Sequence, residues 1–140
     1  MQIKDTKIKI NEIQNLINSM NINDFYIYNY EFNGDLTIAG SFDFSYYHDL
    51  EIHLNEVSFI TCPGSIFNMD TIRLATEDES KRIFEISHGY NEGFNICLED
   101  SDFNIRFYIS AMSFDYSIQK VYYYKRDNLK ANEKVADWVK

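Results

Sequence analysis

The spacing of apolar residues changes once in the first third of the chain, and the change separates two kinds of element. Ile10, Ile13, Leu16, Ile17 and Met20 recur at helical spacing, with Asn11, Glu12, Gln14, Asn15 and Asn18 opposite them. This predicts an amphipathic helix lying over one side of a sheet. From Asn23 the period drops to two. Asn33-Gly34 stands between two alternating runs, and that dipeptide favours a two-residue type I′ hairpin. Such a turn sets Phe32 opposite Asp35, Tyr30 opposite Thr37, Tyr28 opposite Ala39 and Tyr26 opposite Ser41. The pleat then sends Phe25, Ile27, Leu36, Ile38, Phe42 and Phe44 to one face. Tyr26, Tyr28, Tyr30, Phe32, Thr37, Ala39, Ser41 and Asp43 fall on the other.

The run YYHDLEIHL extends the pattern. Leu50, Ile52 and Leu54 join the core face, with His48 at the head of their row, and Asp49, Glu51 and His53 join the tyrosines. Asn55-Glu56 breaks the phase, which marks a turn or bulge. VSFIT is a further strand, ended by Pro63-Gly64. TIRLAT is a short strand. Thr76 and Glu79 make a capping-box pair that opens a helix over Glu77 to His88, with Gly89 as its C-terminal cap. Phe84 and Ile86 about Glu85 also fit a strand. FNICLE, NIRFYISAM and SIQKVYYYKR read as strands, with EDSDFN and SFDYS as turns. NEKVADWVK reads as a short helical turn that docks Val135, Trp138 and Val139. Runs of strands with helices at their margins argue for an α+β fold in one domain over residues 1–140. The expected architecture is a curled, mainly antiparallel sheet with an N-terminal helix, one mid-chain helix and a short C-terminal helical turn. A partial barrel is the alternative.

Charge alters this picture more than composition does. The net charge is −9, and no Lys or Arg occurs from Ile10 to Ile72. That span holds Glu12, Asp24, Glu31, Asp35, Asp43, Asp49, Glu51, Glu56 and Asp70. A phosphate backbone or an anionic membrane needs a basic footprint, so neither is an expected partner. The field favours a basic protein, or simply solubility. The opening MQIKDTKIKINEIQNLI lacks the apolar core of a signal peptide, and no run approaches the ~18 apolar residues that mark a spanning helix. The cytoplasm is the expected compartment. Cys62 and Cys97 lack metal or redox spacing and read as reduced, buried small residues. Abundant Asn, Ile, Lys and Tyr suit an AT-rich bacterial genome.

No nucleotide, hydrolase or metalloprotease motif is present, so no cofactor and no catalytic residue is expected. Asp49, Glu51 and His53 alternate on one strand, as metal ligands can, but a solvated sheet face explains them as well. His48 has no nucleophile placed beside it by any motif. His88 suits a helix C-terminus. Glu99, Asp100 and Asp102 lack the glycine and terminal glutamate of a calcium loop and fit a hairpin turn. Cys62 has no basic neighbour to activate it.

YYHDLEIHLNEVSFITCPG, RLATEDE and VYYYKRDNLKANEKVADWV resemble segments of small bacterial α+β proteins to which no activity is attached, so the likeness implies no site. In physical type (small, acidic, aromatic-faced, poor in cysteine) the chain also resembles the immunity proteins that neutralise secreted toxins.

These observations converge on the tyrosine stripe. As an exposed face, Tyr26, Tyr28, Tyr30, Asp43, Asp49 and Glu51 form a non-catalytic docking surface for a basic protein, because aromatic anchors dominate interface energies and acids steer a cationic partner. Three alternatives stand beside it. The stripe is a second buried layer under a helix; the curled sheet encloses a ligand or enzymatic cavity near His48 or His53; or the tyrosine face joins two copies in a homo-oligomer.

Overall fold

A computed structural model describes residues 2–140. The elements run α1 (Ile3–Ser19), β1 (Asp24–Tyr30), β2 (Leu36–Ser41), β3 (Tyr47–Asn55), β4 (Phe59–Ile60), β5 (Phe67–Asn68) and β6 (Thr71–Leu74). They continue with α2 (Glu77–Ser87), β7 (Phe94–Asp100), β8 (Ile105–Ala111), β9 (Ser113–Tyr122) and β10 (Glu133–Val135). The fold is α+β. A six-stranded sheet has the order β10-β9-β3-β2-β1-β5, and a four-stranded sheet has the order β4-β8-β7-β6. All pairs are antiparallel except β10 on β9.

Both sheets contribute to one apolar core. Leu36, Ile38, Leu50, Ile52, Leu54 and Phe114 come from the large sheet, and Ile72, Ile96, Leu98 and Ile109 from the small one. Helix α1 packs against β6 and β9 and adds Ile10, Ile13 and Ile17 to this core. It begins seven residues before the predicted Ile10, because Thr6 continues the buried face back by one turn and its hydroxyl bonds the Gln2 carbonyl at 3.0 Å. Gln14, predicted to face water, instead mimics a strand. Its amide donates to the Asp70 carbonyl and accepts the Ile72 N–H, each at 2.8 Å, and so satisfies the free edge of β6.

Helix α2 starts where its sequence predicts. The Thr76 hydroxyl accepts the Glu79 N–H at 3.1 Å, and the Glu79 carboxylate accepts the Thr76 N–H at 2.8 Å. The helix ends at Ser87; His88 and Gly89 both turn left-handed, with φ of 55° and 81°. Glu79 also accepts two bonds from Arg73, at 2.6 and 3.2 Å, and one from the Tyr108 hydroxyl at 2.6 Å. Since Arg73 pairs with Cys97 and Cys97 with Tyr108 across β6, β7 and β8, Glu79 fastens α2 to that row. Both cysteines are free.

The first hairpin departs from its predicted register. Glu31 donates its N–H to Asp35 at 2.8 Å, and Gly34 donates to Glu31 at 2.9 Å. Gly34 alone of Asn33-Gly34 has positive φ, at 93°. A type I′ turn needs positive φ at both residues, so the loop is instead a three-residue connection closed by a left-handed glycine. A β-bulge follows at Tyr28, because Ile27 pairs with Ile38 while Asn29 pairs with Thr37. Each irregularity shifts the pairing by one residue. Together they set Tyr26 opposite Ala39 rather than Ser41, and an even shift keeps Tyr26 on its predicted face. Tyr30 has only the first shift. It lies opposite the core residue Leu36, on the other side of the sheet from Tyr26, so the predicted tyrosine stripe is broken at the bulge.

Other expectations change too. Phe42 and Phe44 fall in the β2–β3 connection; Phe42 is exposed, and Phe44 packs edge-on against Tyr26 at 4.7 Å. Ser113–Ser117, predicted as a turn, belongs to β9, and the chain passes from the small sheet to the large one through Met112 alone. The predicted C-terminal helical turn is preceded by β10, and only the closing turn remains, with Val139 donating to Ala136 at 3.0 Å. The edge strand β5 has no counterpart in the sequence reading. Among the described residues, no helix is long and apolar enough to cross a membrane.

Candidate functional site: an acidic aromatic cleft over a buried histidine

The pairing of β1, β2, β3 and β9 places Tyr26, Ala39, Glu51 and Ser117 in one row. Ala39 is small and buried, which leaves room for the phenol and the carboxylate on either side to lean toward each other. The next row holds Thr37 opposite His53. Strand β10 and the turn after it bring Lys134, Asp137 and Trp138 over this face. Ala136, 2% exposed, anchors that turn through its N–H to the Tyr122 carbonyl at 2.8 Å. The result is a cleft of about 610 Å³. Tyr26, Tyr28 and Trp138 supply its rings, and Glu51, Asp137 and Lys134 its charges, with Asn29 and Thr37 completing the wall.

Beneath the cleft runs a chain of hydrogen bonds. His48 is fully buried, and its Nε2 lies 2.7 Å from Glu51 Oε2. Its Nδ1 meets the Tyr123 hydroxyl, which lies 3.1 Å from the Tyr26 hydroxyl. The bond to His48 holds the Glu51 carboxyl below the usual glutamate range, against the opposing effect of burial. An ionised Glu51 only accepts, so His48 Nε2 donates to it. Every member is satisfied in this arrangement, which is the condition for a buried polar network to be favourable. On the far side, His53 Nε2 lies 3.5 Å from Glu51 Oε1 and 3.1 Å from Ser117 Oγ, and His53 Nδ1 lies 3.2 Å from Thr37 Oγ1.

Strand alternation does not predict the His48–Glu51 contact, since residues three apart face opposite ways in a regular strand. The pairing of β3 with β9 slips by one residue between His48 and Leu50, and this irregularity lets the imidazole reach the carboxylate. The Tyr28 ring packs on His48 at 4.8 Å, and Tyr123 packs on Trp138 at 5.4 Å. Burial raises the phenols of Tyr26, Tyr28 and Tyr123 above the usual tyrosine range, so all three remain neutral donors.

Of the six residues expected to dock a partner, Tyr26, Tyr28 and Glu51 meet in the cleft. Tyr26 and Tyr28 are half-buried, shielded by the C-terminal segment rather than by a helix. Tyr30 is exposed beside the hairpin loop. Asp43 belongs to the β2–β3 turn, where it accepts the Ser45 N–H at 2.9 Å. Asp49 lies near Tyr47 and Lys120, with one buried oxygen that has no partner among the described residues, and burial raises its carboxyl above the usual range. Tyr123, Lys134, Asp137 and Trp138 were not anticipated. Their approach depends on a parallel strand that joins the sheet after a long connection. The triple tyrosine at 122–124 was the one sequence signal, since a strand bearing it shows a ring to each face.

Two other clusters are accounted for structurally. Asp70, Asp100 and Asp102 come within 4.8 Å of one another at the β7–β8 turn, where Asp70 accepts from Thr71 at 2.8 Å and from Ser101. Burial pushes the thiols of Cys62 and Cys97 up to about 12 and about 11, which leaves neither a nucleophile near neutral pH.

No protein-family model, no curated protein and no solved structure matches this chain.

Proposed function

We propose that the chain is a non-catalytic binding protein of the immunity type, which docks a basic partner protein at the cleft. One observation carries this reading: Glu51, kept ionised by a buried histidine, opens into an aromatic-walled cleft on a segment without Lys or Arg from Ile10 to Ile72. His48 has no solvent access and both its nitrogens are engaged, so it serves to position Glu51 rather than to meet a substrate. Rings of this size are effective interface anchors, and the surrounding acids speed encounter with a cation.

The test begins with capture on the immobilised chain from extracts of the source cells. The expected partner is one basic protein, bound one to one, released as salt rises and released by Asp137→Lys. Capture of an acidic protein, or binding indifferent to both salt and charge reversal, contradicts the proposal. A second reading is favoured by the concavity itself: a small polar ligand occupies the cleft. A thermal-shift panel of metabolites separates the two, because a rise of several degrees with a single compound supports the ligand reading.

A further inference from the structure

The cleft has the chemistry of a receptor for one kind of side chain. Its rings come from two separate segments, β1 and the turn after β10, and Tyr123 beneath them bonds Tyr26 and packs on Trp138, so the two walls are held against a common support. Two carboxylates, Glu51 and Asp137, stand against the single ammonium of Lys134. Trp138 is 59% exposed although its ring packs on Tyr123, so a large aromatic face remains open at the mouth. A flat, weakly hydrated cation satisfies both features at once, stacking on the rings while its N–H groups reach the carboxylates. An ammonium meets the charge requirement but not the stacking one, and a carboxylate meets neither.

We infer that the cleft bounded by Tyr28, Trp138, Glu51 and Asp137 is an anchor site for an arginine side chain of the partner. This rests on the docking reading and adds which group enters. Glu51 Oε2 is committed to His48, so the fork of the guanidinium is free to meet the exposed carboxylate of Asp137 while Glu51 supplies charge from the floor. Lys134 is the internal competitor for that charge. Its role fixes the sign of the test: its removal strengthens binding of a cation and weakens binding of an anion.

The probe is N-acetyl-arginine amide, with the corresponding lysine and glutamate amides as controls. Trp138 is the only tryptophan in the chain, so its fluorescence and its indole N–H resonance report the cleft alone. The arginine probe is expected to shift both, with the lysine probe weaker and the glutamate probe silent. Lys134→Ala tightens the arginine probe by roughly threefold, and Asp137→Asn weakens it by roughly three- to tenfold, as expected for partly exposed charge pairs. Both positions lie outside the core, and a dispersed amide spectrum confirms that each variant is folded.

The inference is overturned if the glutamate probe binds as well as the arginine probe, if Lys134→Ala weakens arginine binding, or if the Trp138 signals stay still at high millimolar probe. Failure of the inference and of the docking reading are distinguishable. A basic partner that binds with the Trp138 resonance unmoved removes the arginine site and keeps the docking. An arginine site that no basic protein fills keeps the site and removes the docking.

Discussion

Tyr123 is the residue on which the buried network depends. Its hydroxyl bridges the Tyr26 hydroxyl and His48 Nδ1, so removing its oxygen leaves both without that partner. Tyr123→Phe is expected to destabilise the fold by about 1–3 kcal/mol, the cost of an unsatisfied buried polar group, measured by urea unfolding. Tyr26→Phe removes one hydroxyl at the outer end of the chain and costs less. Asp49 has the opposite sign. Its carboxyl is raised by burial and one of its oxygens lacks a partner among the described residues, so its charge opposes folding above the usual aspartate range. A raised folded value means that the penalty is present at neutral pH and vanishes in acid. Asp49→Asn is therefore expected to raise the melting temperature at pH 7 and to have little effect near pH 3.

Among the elements, α2 shows how closely a sequence signal and its structure can agree. Thr76 and Glu79 predicted a helix start, and both bonds of the capping box are made. The sequence could not show that the same glutamate takes Arg73 and Tyr108, because those partners come from strands that fold beside it. The Arg73 bonds hold Glu79 down to about 2 against an ordinary 4.5. A lowered value means stability that is present above about pH 4.5 and lost as pH falls toward about 2. Glu79→Gln is expected to lower stability at pH 7 by about 1–3 kcal/mol and to flatten the acid limb of the unfolding curve. The first hairpin teaches the reverse lesson. Alternation placed Phe25, Leu36 and Ile38 correctly in the core, because burial enforces a period of two. The turn type and the bulge at Tyr28 are single-residue events with no periodic signal, yet they decide which tyrosines share a face. Gly93 is a comparable point. It has φ of 89°, and a Cβ there would stand 2.2 Å from the Ala111 carbonyl oxygen. Gly93→Ala is expected to be strongly destabilising, which thermal unfolding checks.

At the scale of the whole molecule, two sheets and α1 share one core while the C-terminal segment reaches back over the outer face of the larger sheet. The cleft is a product of that long return. Composition and charge showed an acidic, aromatic body. They could not show that chain ends far apart in sequence, β1 and the turn after β10, would close on each other around Glu51. Docking at the cleft therefore depends on Glu51 standing there as a held anion. The most direct measurement is its side-chain carboxyl carbon followed by NMR from pH 7 down to pH 2. The expected midpoint lies below the ordinary 4.5 and rises when His48 is replaced by a residue without a hydrogen-bonding ring in a variant that still folds. A midpoint at or above 4.5 in the native chain contradicts the held anion.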